Sequence, residues 1–124
     1  MVKGNSRRPR VRVTADGEGV AGHAGSRLLA DLAEVVGLTE ALSVAMAPTR
    51  KRRSRHDPGR VLVDLAVTLA DGGDGLSDLK VLRNQPDLFG EVASDPTAWR
   101  VIASLNAACR DAIAIARAVA RKRA

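Results

Sequence analysis

The stretch from Arg50 to Gly73 constrains the fold most, because it joins a dense cationic segment to a complete set of helix signals. Asp57 stands where an N-cap residue would accept a hydrogen bond, and Pro58 follows at the first helical position, where its fixed φ and missing N–H are tolerated. An apolar stripe at helical spacing then runs as far as Gly72-Gly73: Val61, Leu62, Leu65, Ala66 and Leu69. The stretch predicts a buried helix over 58–71 with a basic loop fixed at its N-terminus.

Length and composition allow one domain with a thin core. The chain has 124 residues, its hydrophobic fraction is 45%, and its only aromatic residues are Phe89 and Trp99. Small side chains bury little area each, so we expect stability near the low end of the usual range of about 5 to 15 kcal/mol. The single Cys109 excludes an intramolecular disulfide and is interpreted as a small buried hydrophobe. Neither a signal peptide nor 18 consecutive apolar residues occur, so we expect a cytoplasmic protein without a membrane partner.

Other segments also show helical periodicity, and they predict a mainly α fold of about five helices. From Ser26 to Gly37 the predicted inward stripe comprises Leu28, Leu29, Leu32, Val35 and Val36. Short helices are predicted from Thr39 to Pro48, with Leu42 and Met46 inward, and over 76–83. The segment 84–94 is predicted to be a loop whose Leu88 and Phe89 cover the core.

The C-terminal part repeats the helix-start signal in Ser94-Asp95-Pro96. Trp99, Ile102 and Leu105 follow at helical spacing, and apolar positions continue to Ala120. Periodicity leaves two alternatives open here: Asn106 caps a new helix, or one long helix runs through it.

The N-terminal residues lack helical periodicity. Residues 1–10 are polar and basic, which predicts a disordered arm, and residues 11–124 form the predicted helical domain. Val11, Val13 and Ala15 alternate with polar residues before the turn signal Asp16-Gly17, which predicts a short N-terminal β-strand or hairpin.

The cations are concentrated in short blocks. The formal net charge is +6, and six of the eleven residues over 50–60 are Arg or Lys. Such a density favours phosphate binding, with a solvated surface loop and an acidic protein partner as alternatives. No aromatic residue interleaves with the run, so double-stranded DNA is favoured over stacking on single-stranded bases. The predicted DNA-binding residues are Arg50, Lys51, Arg52, Arg53, Arg55 and Arg60, with Arg7, Arg8 and Arg10 on the arm.

No motif in the chain predicts catalysis or metal binding. Asp71, Asp74 and Asp78 do not have the spacing of a calcium loop, and we interpret them as caps at helix ends. His23 and His56 lack the partners that a zinc site requires. The helices over 58–71 and 76–83 have the arrangement of a helix-turn-helix, but Asp74 and Asp78 at the front of the second helix disfavour base contacts there.

Four motifs carry a resemblance to the N-terminal region of bacterial insertion-sequence transposases of family thirteen-eighty. The resemblance runs from about Val11 to Ile102, and its most specific parts are HDPGR at 56–60, LADGG at 69–73, QP with LFG at 85–90, and SDPT at 94–97. It implies a DDE transposase, whose RNase H-like catalytic domain holds divalent metal on three acidic residues.

The same resemblance implies how this chain would relate to the enzyme. The first catalytic aspartate of the family lies downstream of the Ala/Arg-rich helix that ends at Ala124, and none of this chain's acids matches a catalytic position. We therefore expect the N-terminal part of a transposase, truncated before its catalytic domain, inactive alone and without a metal or other cofactor of its own. Expected partners are double-stranded DNA and either the catalytic domain or a second transposase copy. Two alternatives stay open, a stand-alone DNA-binding regulator and a helical protein-interaction module.

Overall fold

A computed structural model describes residues 8–12, 24–52 and 54–124. Seven α-helices occur in these ranges: α1 (Ala24–Val35), α2 (Leu38–Met46), α3 (Pro58–Ala70), α4 (Lys80–Arg83), α5 (Pro86–Phe89), α6 (Asp95–Ala103) and α7 (Ala107–Arg123). Single 3-10 turns over Ala47–Thr49 and Leu76–Leu79 follow α2 and precede α4. The mainly helical class is therefore confirmed, and none of the described residues forms a β-strand.

Helix α3 lies at the centre of the core and forms as its sequence predicts. The Asp57 side chain accepts a hydrogen bond from the Gly59 N–H at 2.9 Å, and Pro58 occupies the first helical position. The buried apolar residues of α3 are Val61, Val63 and Val67, and the predicted stripe is therefore partly wrong, since Leu69 is 57% exposed. The helix packs against α1, α2, α6 and both 3-10 turns, which explains why more than one of its faces is buried.

Gly59 permits the closest approach between α2 and α3. A Cβ atom at this position would lie 2.3 Å from the Ser43 backbone nitrogen and 2.6 Å from the Leu42 carbonyl carbon. Backbone atoms cannot move aside as a flexible side chain can, so the contact requires glycine. The approach also lets the Ser43 hydroxyl donate to Asp57 Oδ2 at 2.5 Å, which ties the end of the basic loop to α2.

Helix α1 is buried on a different face from the predicted one. Ala30, Ala33 and Val36 lie in the core, whereas the leucine stripe is largely exposed, with Leu28 at 66% and Val35 at 83%. Small alanines allow α1 to sit close to α3, and this contact selects the buried face instead of total hydrophobicity. The prediction that Leu28, Leu29, Leu32 and Val35 point inward is therefore wrong.

The last segment forms two helices, which decides between the alternatives left open by periodicity. Helix α6 ends at Ala103, and Asn106 then accepts a hydrogen bond from the Cys109 N–H at 2.9 Å as the N-cap of α7. Cys109 is buried, as predicted. Trp99, in contrast, is 63% exposed, because Ala98 is the residue of this turn that enters the core.

The segment before α6 contains a short helix where a loop was predicted. Residues Pro86–Phe89 form the single turn α5, and both Leu88 and Phe89 are buried, with Phe89 fully enclosed. The predicted role of these two side chains in covering the core is confirmed. Gly90 then turns the chain with φ of +72°, a conformation that favours glycine.

The N-terminal predictions fall partly outside the described residues. Val11 and Arg12 are exposed and not in a strand, and the rest of the predicted strand or hairpin, from Val13 onward, lies outside the described ranges. Of the arm predicted over 1–10, residues 1–7 lie outside the described ranges, and the side chain of Arg8 is buried in the core. Among the helices that the structure describes, none is long and apolar enough to cross a membrane.

Candidate nucleic-acid interface

The basic loop runs from the end of the first 3-10 turn to the N-cap of α3. Within it the Ser54 N–H donates to the Lys51 carbonyl at 2.9 Å, and the Arg50 guanidinium donates to the Ser54 carbonyl at 3.4 Å. Asp57 fixes the loop's end through Gly59 and Ser43. Lys51, Arg52 and Arg55 remain exposed, so the loop presents cations from a backbone held at both ends.

A groove separates this loop from α6. Its volume is about 650 Å³, and the side chains that line it come from both elements: Thr49, Lys51, Ser54, Arg55, His56, Pro58, Thr97, Arg100, Val101, Ala103 and Ser104. Three of these residues are permanent cations and four carry hydroxyl groups, while none is an acid. Cations with hydroxyl donors are the groups that bind phosphate oxygens in protein–DNA complexes.

Helix α6 presents its polar face to the groove because its opposite face is buried. Ala98 is fully buried, and the polar residues Thr97, Arg100 and Ser104 recur at helical spacing along the face that lines the groove. Val101, which packs partly against the core, lies between the two faces. The Ser94 hydroxyl accepts from the Thr97 N–H at 3.4 Å as the N-cap. The Arg100 guanidinium donates to Thr97 Oγ1 at 3.1 Å, which orients Arg100 along the groove.

Arg55 forms an ion pair with Glu91 on the protein surface. Both side chains are solvated, with exposures of 77% for Arg55 and 43% for Glu91. Exposed pairs of this kind contribute only about 0 to 1 kcal/mol, so a phosphate can compete with Glu91 for the guanidinium.

His56 is the one histidine among the residues that line the groove. Partial burial lowers the pKa of His56 below its ordinary value of 6.5, and the carboxylate of Glu91 opposes this effect. The neutral imidazole is therefore favoured, and a phosphate beside it would favour the protonated form.

The structure separates the predicted DNA-binding cations into two groups. Exposed or half-exposed positions are taken by Arg10, Arg50, Lys51, Arg52 and Arg55. Arg7 and Arg53 lie outside the described residues. Arg8 and Arg60 are 6% and 9% exposed, so the structure places them in the interior and not at the groove.

Arg8 and Arg60 meet Asp64 in the interior. Arg8 Nη2 donates to Asp64 Oδ1 at 2.7 Å, and Arg60 Nε lies 4.0 Å from Asp64 Oδ2. Burial raises the pKa of the Asp64 carboxyl and lowers the pKa of the Arg60 guanidinium. The positive charges of Arg8 and Arg60 oppose the rise at Asp64 and thereby favour its ionised form.

The same two arginines hold the C-terminus of α5. The Phe89 carbonyl accepts from Arg60 Nη2 at 2.6 Å and from Arg8 Nη1 at 3.2 Å. Arg27 Nη1 donates to the Leu88 carbonyl at 2.6 Å and to the Pro9 carbonyl at 2.7 Å. The last carbonyls of a helix have no intrahelical partners and carry partial negative charge, so guanidinium donors stabilise them. These arginines organise the core, and their positive charge is used inside the fold.

The aspartates around the end of α3 have structural partners. Ser26 Oγ donates to Asp71 at 2.5 Å, and Asp78 accepts from the Asp74 and Gly75 N–H groups at 2.8 and 3.2 Å. These two hydrogen bonds lower the pKa of Asp78. The interpretation of Asp78 as a cap is confirmed. Across the described ranges, no group of three His, Cys, Asp or Glu side chains is placed to hold a metal ion.

Sequence reasoning missed the contribution of α6 to this surface. The spacing of Thr97, Arg100 and Ser104 was available as a signal for one polar helix face. Nothing in the sequence placed that face opposite Lys51 and Arg55, because the two segments are separated by α3, α4 and α5. The groove exists only through tertiary packing.

The fold and the groove define a helical protein with a cationic surface suited to a polyanionic ligand. Comparison with known families is more specific, since residues 3–122 match the family described as Transposase DDE domain group 1. The match spans nearly the whole chain, and the chain therefore belongs to this family of DDE transposases. No curated protein and no solved structure matches it.

Proposed function

We propose that this chain holds double-stranded DNA by its phosphate backbone, as the DNA-positioning part of a DDE transposase. The observation that carries the proposal is the groove between the basic loop and α6, whose lining combines Lys51, Arg55 and Arg100 with hydroxyl groups and contains no acid. Membership of a transposase family makes DNA the polyanion of first choice. Phosphate contacts fix position without reading sequence, so this function does not depend on one base sequence.

The proposal assigns positioning, rather than bond cleavage, to the described part of the chain. Acids close to the groove are already engaged, with Asp57 capping α3, Glu91 paired with Arg55, and Asp95 accepting from Arg83 Nη1 at 2.9 Å. We place the catalytic acids of the transposase outside this groove. The segment 76–83, which would be the recognition helix of a helix-turn-helix, is a 3-10 turn followed by four α-helical residues. It is too short to enter a major groove in that role.

A salt titration of DNA affinity tests the proposal. If Lys51, Arg52, Arg55 and Arg100 neutralise about four phosphates, log K falls with log salt at a slope of about −3.6. The double variant Lys51→Gln/Arg100→Gln removes two contacts, so its slope is expected to be less negative by about 1.8. The measurement is fluorescence anisotropy of a labelled 20-base-pair duplex at several salt concentrations.

The matched control is the double variant Arg117→Gln/Arg121→Gln, because both arginines line a separate cleft between α1, α2 and α7. It carries the same change in net charge, so any long-range effect of charge is equal in the two proteins. The proposal requires the groove variant to lose affinity and slope relative to this control. Equal slopes for the two variants, or a wild-type slope near zero, would contradict it.

A further inference from the structure

Trp99 lies on α6, one residue before the groove-lining Arg100, and its side chain is 63% exposed. A tryptophan buries a large apolar area when it finds a partner, so a solvent-exposed one on a helix is a candidate contact residue. It is also the only exposed Trp, Tyr or Phe, because the chain contains one Trp, one Phe and no Tyr, and Phe89 is fully buried.

Helical geometry places Trp99 beside groove-lining residues. Ala103 lines the groove and follows Trp99 by four residues, which puts the two on the same side of α6. Arg100, the cation that α6 contributes to the groove, is the next residue along the chain. Pro96 and Ala103 flank Trp99 on its side of the helix, and both are exposed and short, so the indole face is open to a planar ligand.

We propose that Trp99 stacks on an unpaired nucleobase of a DNA strand whose phosphates lie in the groove. The inference rests on the proposed function, because the phosphate-binding side chains bring the strand to α6. Cations beside one exposed indole are the combination by which proteins bind unpaired nucleotides, the cations tracking the backbone and the ring stacking on the base. A base within an intact duplex would first have to leave its stack at a cost of a few kcal/mol, so the preferred ligand is a duplex end with unpaired nucleotides.

The sequence argues against stacking only while the basic run is considered alone. No aromatic residue occurs within 50–60, but the fold brings α6 across the groove from that loop. The aromatic group and the cations therefore come from segments about 45 residues apart in the chain.

The test compares a blunt 20-base-pair duplex with the same duplex carrying a three-nucleotide single-stranded extension. The wild-type protein is expected to bind the extended duplex about tenfold more tightly, since base–aromatic stacking is worth about 1 to 3 kcal/mol per base. Trp99→Ala is expected to lose this preference while it retains its affinity for the blunt duplex. Trp99→Phe, which keeps an aromatic face, is expected to retain part of the preference.

Fluorescence of the wild-type protein gives an independent readout, because Trp99 is the single tryptophan. Its emission is expected to be quenched by the extended duplex and less by the blunt one. Unfolding of each variant, followed by circular dichroism, verifies that the substitution of this exposed residue leaves the fold intact.

The outcomes separate this inference from the proposed function. No preference of the wild type for the extension, an equal preference in Trp99→Ala, or unchanged emission on DNA binding overturns the stacking inference and leaves Trp99 to a protein contact. The proposed function survives each of these results as long as blunt-duplex binding depends on salt and on Lys51 and Arg100. Loss of that dependence overturns both.

Discussion

Arginines in two regions of this protein, the core and the groove, have opposite roles although they are close in sequence. Arg60 is buried, donates to the Phe89 carbonyl and lies beside Asp64, whereas Arg55 is 77% exposed and pairs with the solvated Glu91. A buried guanidinium requires a compensating charge and hydrogen-bond acceptors, since uncompensated burial of charge is costly. An exposed one keeps its hydration and can exchange partners. Cation density in a sequence therefore gives an upper limit on the number of residues that can contact a polyanion.

The largest expected effect comes from Asp64→Asn, which removes the negative charge from the buried group of arginines. The amide keeps the shape of the carboxyl group but removes the charge that compensates Arg8 and Arg60. Breaking a buried ion pair by removing one partner costs about 3 to 5 kcal/mol. The free energy of unfolding, measured by urea denaturation, is expected to fall by that amount.

The control for this prediction is Asp87→Asn, which removes the charge of an exposed aspartate on α5. Its free energy of unfolding is expected to stay within about 0.5 kcal/mol of wild type. If Asp64→Asn is as stable as this control, the buried arginines do not need their carboxylate, and the distinction between the two regions fails.

Glu91→Gln should produce a smaller effect, a change in DNA affinity through the exposed Arg55. The substitution frees Arg55 from its intramolecular partner, so DNA affinity is expected to rise, by at most about fivefold because exposed ion pairs are worth about 0 to 1 kcal/mol. Anisotropy with the blunt duplex measures the change, and Asp111→Asn on α7 controls for the loss of one negative charge. In an Arg55→Gln background the gain should disappear; a gain that persists there would place the effect elsewhere.

The smallest expected effect is a pH dependence of DNA binding through His56. Its lowered pKa means that the free protein holds the imidazole neutral, and a nearby phosphate favours the protonated form, so binding takes up a proton. Affinity for the blunt duplex is expected to rise a fewfold between pH 7.5 and pH 5.5, and His56→Gln should flatten that rise. Arg55, Arg60, Asp64 and Glu91 are the charged groups that act on His56, and only its replacement separates its titration from theirs.

The stability of the fold should change with pH in the opposite direction to DNA affinity, again through His56. Below pH 6.5 the unfolded chain binds a proton at His56 that the folded chain resists, so stability falls as the pH decreases through the window between 6.5 and the lowered pKa. A rise of thermal stability over this window in the wild type, relative to His56→Gln, would contradict the assignment.

Features that depend on neighbouring residues could be predicted from the sequence. The start of α3 at Asp57-Pro58, the cap of α6 at Ser94 and the burial of Phe89 all follow from capping chemistry or composition, and the structure confirms them. The resemblance to DDE transposases is confirmed at the level of the family. Local signals suffice there, because the hydrogen bonds of a cap join residues two or three positions apart.

Features that depend on distant contacts could not be predicted. Periodicity correctly predicts that α1 is amphipathic but selects the leucine face, and only the fit of small alanines against α3 shows that Ala30 and Ala33 are buried. The exposure of Trp99 and the burial of Arg60 could not be predicted for the same reason, since hydrophobicity or charge gives the character of a side chain without giving its surroundings.

The sequence by itself determined the main helices, the caps at Asp57 and Ser94, the clustered positive charge and the family. Only the tertiary structure decided which cations are available to a ligand, because burial of Arg8 and Arg60 depends on the position of Asp64 and of the α5 carbonyls. It also created the groove by setting Lys51 and Arg55 opposite Arg100. The physical reason is that helix formation and capping are governed by interactions within a few residues, whereas desolvation and the field at a charged group depend on every element packed around it.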